Sequence, residues 1–211
     1  MFFIKRVKGG KVYGVTVYFL RHGQTQYNAE KRFYGATDVG LCAEGVAEAL
    51  NAAGFLKTLV FEAVYASPLS RARETAEIVM ERNAAPSDIT YIEGLREVNF
   101  GDWEGLMAED IEARYSPDWK EYIEGFQDFT FPNGDSIGAY NERTRNYMEG
   151  LLKRHTSGNI LIVSHKGFIL SAVSNMLHGD SRNMFKYDLD TGKTAVMEFF
   201  DGFCILKALN V

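Results

Sequence analysis

Cysteine is nearly absent: Cys42 and Cys204 are the only two in 211 residues. They lie far apart, with no CxxC and no metal-ligand spacing, so a disulfide framework is excluded and both read as unreactive thiols. No run approaches the roughly 18 apolar residues a bilayer-spanning helix needs. The start, MFFIKRVKGGKVYG, carries Lys5, Arg6, Lys8 and Lys11 but no apolar stretch long enough for a signal peptide. A basic surplus is also missing. Lys plus Arg total 23 against 28 Asp plus Glu, a formal net charge of -5, which argues against a nucleic-acid partner. Repeats and low-complexity tracts do not occur. These absences predict a soluble cytoplasmic protein with neither a membrane nor a nucleic-acid partner, and no pattern specifies an oligomeric state.

What is present is ordinary for a globule: 46% apolar and 24% charged residues. A chain of this length buries about 70% of its unfolded surface, so neither metal nor disulfide is needed to hold a core. One domain over residues 1–211 is the expectation. VTVYFL, FEAVYAS, ITYIEG and NILIVS are short apolar runs rich in β-branched and aromatic residues, and they read as strands. Between them come helical patterns. From Ala43 to Leu59 the set Val46, Leu50, Ala53, Leu56 and Val60 repeats at helical spacing. A helix from Leu69 to Asn83 should hold Pro68 at its first turn. Further helices are expected over Ile137 to His155 and Gly167 to His178, the last closed by Gly179. TAVMEFF and FCILKALNV around Asp201-Gly202 form a hairpin signal. The alternation predicts an α/β three-layer sandwich with a mostly parallel central sheet and helices on both faces. Residues 98–136, rich in glycine and aromatics, form a small helical and loop excursion over the site.

In such sheets ligands sit beyond the carboxyl ends of the strands. Two strands end in unusual polar text: VTVYFL runs into Arg21-His22-Gly23-Gln24-Thr25, and NILIVS into His165-Lys166-Gly167. Two of only four histidines share this context. Arg71 and Arg73 follow FEAVYAS at a helix start, where a cation opposes the helix dipole unless an anion is to be met. The spacing of Arg73 points it elsewhere. Arg21 adds a guanidinium fork suited to phosphate oxygens. Glu97, after a further apparent strand, places a carboxyl group where a general acid could work. His155 and His178 end helical stretches and suit their negative ends.

The motifs together resemble the histidine phosphatase superfamily, also called phosphoglycerate-mutase-like. Arg21 to Thr25 is similar to its opening signature, and Asn28, Gly35, Asp38, Leu41 and Gly45 resemble its continuation. Ser67 to Ala76 resembles the SxLxRAxxTA block. Leu95-Arg96-Glu97 precedes Phe100 to Gly105, Pro132 to Ser136 resembles PxGES, and Ser164-His165 resembles the second histidine block. The resemblance implies His22 as nucleophile, with His165, Arg21 and Arg71 completing a phosphate pocket and Glu97 as proton donor. Gln24, Thr25 and Asn28 would line the inner wall, touching phosphate or substrate. It implies no metal and no cofactor, because side-chain cations carry the electrostatic work. Two departures stand out. Lys166 occupies a position that is glycine in many members, and Cys42 replaces a helix-capping threonine.

The implied activity is metal-independent hydrolysis of a small-molecule phosphomonoester. A cofactor-dependent phosphoglycerate mutase is the alternative, and a catalytically weak phospho-ligand binding protein a third. Between Leu106 and Asp135 only Arg114 and Lys120 are basic, which leaves little to hold a substrate carboxylate. The text around Glu97 and Pro132 resembles phosphatases acting on alpha-ribazole 5'-phosphate, and sugar phosphatases nearly as well. Aromatics of the excursion (Trp103, Tyr115, Trp119, Tyr122, Phe126, Phe129, Phe131) could stack on a base or sugar. Packing of the excursion on the sheet explains most of them.

Overall fold

A computed structural model describes residues 14–211; the basic N-terminal stretch with Lys5, Arg6, Lys8 and Lys11 lies outside the described residues. Six strands form one sheet: β1 (Val15–Arg21), β2 (Ala63–Ala66), β3 (Ile89–Tyr91), β4 (Gly158–Ser164), β5 (Thr194–Phe200) and β6 (Phe203–Ala208). Their order is β3-β2-β4-β1-β5-β6. The first four are mutually parallel, while β5 and β6 pair antiparallel at one side. Asp201 and Gly202 turn that hairpin with φ of 47° and 78°. Around the sheet lie α1 (Gln26–Ala29), α2 (Ala43–Leu56), α3 (Ser70–Arg82), α4 (Ala108–Arg114), α5 (Ser116–Gly125), α6 (Ile137–Arg154) and α7 (Lys166–His178).

Alternation along the buried strands supplies two cores. Val15, Val17 and Phe19 of β1, with Ile160 and Ile162 of β4, face α6 and α7. Leu20, Leu161 and Val163 face α2 and α3 on the other side. The chain therefore leaves β1 toward one face, into α2, and the adjacent β4 toward the other, into α7. This divergence opens a crevice at their carboxyl ends. Register makes the crevice specific: Arg21 pairs with Ser164 as the last rung, and His22 N–H still donates to Ser164 O at 2.9 Å. His22 and His165 emerge beside one another.

Several elements differ from the sequence expectation. The buried face of α2 is Gly45, Ala49, Ala52, Ala53 and Leu56, whereas Val46 and Leu50 are 39% and 37% exposed. The reason is close approach: a Cβ on Gly45 would stand 2.0 Å from Gln24 O, so the helix turns its small residues inward. Val60 lies past the helix end and is exposed. Pro68 sits two residues ahead of α3 rather than in its first turn. Leu95-Arg96-Glu97 is no strand; Glu93–Leu95 is a single 3-10 turn and Glu97 follows in irregular backbone.

Within 98–136 the aromatics pack on one another. Trp103, Phe129 and Phe131 are buried, with Trp103 5.3 Å from each of the other two ring centroids. Trp119 stacks on Tyr122, and Phe33 meets both edge-on. This cluster is continuous with the α6–α7 side of the sheet core. Among the described residues no helix is long and apolar enough to cross a membrane.

Candidate active site

His22 is buried, and its Nδ1 lies 2.8 Å from Gly23 O. A carbonyl only accepts, so the proton sits on Nδ1 and the Nε2 lone pair is free. Burial, then Arg71 and Arg21, lower the His22 pKa well below 6.5, which keeps the ring neutral. His165 carries the opposite tautomer. Arg71 Nε donates to its Nδ1 at 3.2 Å, so the proton is on Nε2 and reaches Ser67 Oγ at 2.8 Å. Burial, Arg71 and His22 lower its pKa well below 6.5 as well. The two imidazole centroids are 5.1 Å apart.

Arg71 is fully buried at the start of α3. Besides His165 it donates to Thr37 O at 3.0 Å and Gly35 O at 2.8 Å, and its guanidinium lies 4.6 Å over the Tyr34 ring. The helix start is capped from a distance: Ser70 N–H and Oγ both donate to Asp38. Arg21 donates through one terminal nitrogen to Leu189 O at 2.7 Å, while its Nε is buried with no partner among the described residues. A buried, unmatched guanidinium donor is costly unless an anion accepts from it. Burial lowers the pKa of both arginines. Arg73 lies on the exposed side of α3, near Glu77.

Glu97 is held by three donors. Oε1 accepts from Tyr140 Oη at 2.6 Å and Val98 N–H at 3.1 Å, and Oε2 accepts from Gly167 N–H at 2.9 Å. A side chain at position 167 would push the Glu97 carboxylate out of place, since a Cβ would stand 2.4 Å from Oε1. Burial, followed by Glu97, holds the Tyr140 phenol well above its ordinary pKa, so it remains a donor.

Gln24, Thr25 and Asn28 sit on the wall behind these groups. Gln24 N–H donates to Glu48, and its side-chain oxygen accepts from Cys42 Sγ. Thr25 caps α1, and its Oγ1 lies 2.7 Å from Tyr34 Oη; Asn28 Oδ1 accepts from Thr25 and Tyr34. Through Tyr34 both residues support Arg71. Lys166 opens α7 and pairs with Asp188 at 2.5 Å. Cys42 is the α2 N-cap and makes no capping bond. His155 and His178 end α6 and α7, bonded to Tyr65 and Tyr187 respectively. Among the described residues no three His, Cys, Asp or Glu side chains gather as a metal site. Sequence reasoning missed Ser67, Tyr34 and Tyr140 as partners of the site. Ser67 lay within a quoted block, but the two tyrosines carried no local signal.

The family model of the histidine phosphatase superfamily (branch 1) matches residues 17–211. The chain belongs to this superfamily. It is a phosphatase, and several similar proteins show the breadth of the group. The adenosylcobalamin/alpha-ribazole phosphatase of Escherichia coli (strain K12) is 29% identical, covering 92% of this chain and 95% of that protein. A 2,3-bisphosphoglycerate-dependent phosphoglycerate mutase of Parvibaculum lavamentivorans is 32% identical over 86% and 89%. The crystal structure of an alpha-ribazole phosphatase from Shigella flexneri superposes on this histidine phosphatase with TM-score 0.86 at 27% identity, covering 93% and 96%.

Proposed function

We propose that this phosphatase hydrolyses a small phosphomonoester through a phosphohistidine on His22. The observation that carries the reading is a neutral, buried His22 whose Nε2 carries the lone pair, under the electrostatic influence of Arg21, whose Nε is unmatched among the described residues. The Nε2 lone pair attacks phosphorus while the bond to the leaving oxygen breaks, and Glu97 supplies that oxygen with its proton. Water then attacks phosphorus, its proton returns to Glu97, the P–N bond breaks and phosphate departs. Arg21, Arg71 and His165 surround the equatorial oxygens, so side-chain cations meet the charge a metal would otherwise meet. Both ring nitrogens of His165 already have protein partners and only its Nε2–H donates, so a phosphoryl oxygen bonded to it takes the place of Ser67 Oγ.

Two cavities adjoin Glu97 or its holders. One, of about 360 Å³, is lined by Ala36 and by the charged or polar residues Arg96, Asn99, Asp135 and Arg143. The other, of about 170 Å³, is apolar, with Tyr140, Gly167, Phe100, Phe131 and Phe185 in its wall. A ribosyl phosphate bearing an aromatic base offers hydroxyls to the first and a ring to the second. That pairing, with the 29% identical relative, supports alpha-ribazole 5'-phosphate as substrate. One observation favours the mutase reading: Arg96 and Arg143 line the same cavity as Glu97, and Arg143 Nε is buried without a partner among the described residues. Guanidinium groups there suit a phosphoglycerate carboxylate.

Phosphate release from alpha-ribazole 5'-phosphate, a sugar phosphate and an aryl phosphate, beside interconversion of phosphoglycerates, separates the readings. Acid-labile phosphate on His22, and no turnover in His22→Ala, is the expected result. Phosphate trapped on a serine, an aspartate or His165 overturns the mechanism.

A further inference from the structure

The Glu104 carboxylate accepts from four backbone N–H groups. Oε1 takes those of Gly35, Ala36 and Phe100, at 2.9, 2.9 and 3.0 Å. Oε2 takes that of Thr37 at 3.0 Å and shares Gly35 at 3.1 Å. Arg71 bonds the same short loop from its other side, through Gly35 O and Thr37 O. The peptide unit joining Gly35 to Ala36 therefore gives its N–H to Glu104 and its carbonyl to Arg71. A carboxylate on the N–H polarises that amide and strengthens its oxygen as an acceptor, so the bonds reinforce one another. A loop with its donors and acceptors both held by charged groups is also fixed in place.

We propose that Glu104 is a positioning residue for phosphoryl transfer, acting on the phosphate solely through the 35–37 loop and Arg71. Glu104 is thus no substitute for Glu97 as proton donor: Glu97 lines the cavity of about 360 Å³, whereas Glu104 lines neither cavity described above and faces backbone N–H groups. The inference rests on Arg71 as a phosphate ligand, and the test keeps the two claims apart.

Inorganic phosphate inhibition and the kcat and KM for an alkyl and an aryl phosphate are measured in wild type, Glu104→Gln, Arg71→Ala and the double variant. Glu104→Gln keeps the shape but loses the charge and half the acceptors. It should weaken phosphate binding and lower kcat/KM by about tenfold or more, yet by less than about threefold when Arg71 is already alanine. The loss should be equal for alkyl and aryl leaving groups. Equal losses in both backgrounds overturn the coupling, and a loss that tracks the leaving group overturns it in favour of proton donation. If Arg71→Ala leaves phosphate binding and turnover intact, the phosphate-pocket reading fails instead. Should Glu104→Gln lose the near-ultraviolet signal of the Trp103 cluster, Glu104→Asp replaces it in the same cycle. The aspartate keeps the charge but is too short to span the loop, and the same non-additivity is required of it.

Discussion

Arg71 Nε donates to His165 Nδ1 across 3.2 Å, so each of these buried groups sets the orientation of the other. Because guanidinium only donates, the bond also dictates the tautomer of His165. His22, 5.1 Å away between ring centroids, is set in the opposite tautomer by Gly23 O. Two histidines in one pocket therefore present different nitrogens, and neither gains from protonation among the arginines.

Acidification should expose this. The folded-state pKa values of His22 and His165 lie below 6.5, where an unfolded histidine titrates. Below that pH the unfolded chain binds protons that the native pocket refuses, so stability is fully present above it and falls as pH falls. The slope is about 1.4 kcal/mol per pH unit for each histidine until its folded value is reached. Urea midpoints at pH 7.5 and 5.5 check the direction, and replacing both histidines by glutamine should flatten the difference. Turnover should persist through pH 6.5, since the nucleophile stays neutral. An unchanged slope in the double variant would remove the assignment.

Arg71→Lys should be poorly tolerated. The guanidinium spends three bonds on His165, Thr37 O and Gly35 O and stacks on Tyr34. A lysine ammonium is a single point charge and cannot reproduce the planar fork. A fall in kcat/KM of about 100-fold or more is expected. Near-wild-type kinetics would show that only the charge matters.

The strand ends were legible because apolar runs stop abruptly at Arg21-His22 and Ser164-His165. Their adjacency came only from the family resemblance, because it depends on β4 pairing β1 across more than half the chain. The face of α2 was misread for a physical reason: hydrophobic periodicity favours Val46 and Leu50, whereas contact with Gln24 selects the smallest side chains. Glu104 could not be assigned, since an acidic loop residue shows nothing until four N–H groups converge on it. The aromatics of 98–136 were read mainly as packing, and burial of Trp103, Phe129 and Phe131 agrees.

Cys42 offers a stability test remote from chemistry. It is the N-cap of α2 with no side-chain bond to the helix. Cys42→Ser supplies an acceptor for the free N–H groups and should stabilise by about 1 kcal/mol. For a domain of this size that is a rise in Tm of about 2–4 °C. Calorimetry checks it. A fall would mean that the contact of Cys42 Sγ with Gln24 matters more than the cap.

Glu97→Gln addresses the proton itself. The amide can keep its oxygen toward Tyr140 and Val98, but its NH2 then faces Gly167 N–H, and one bond of the wild-type set is lost. The side chain stays nearly in place while losing an acid's proton. An alkyl phosphomonoester, whose alkoxide cannot leave unprotonated, should lose about 100- to 10,000-fold in the rate of phosphohistidine formation. A strongly activated aryl phosphate, whose phenolate departs unassisted, should lose much less. Rapid-quench measurement of the labelled intermediate with both substrates isolates this step from the later hydrolysis, for which Glu97 is the proposed base. Equal losses for the two leaving groups would remove Glu97 as the leaving-group acid. Asp102 is then the remaining loop carboxylate to test, exposed and bonded to Asn133, because Glu104 is tied down by the 35–37 backbone.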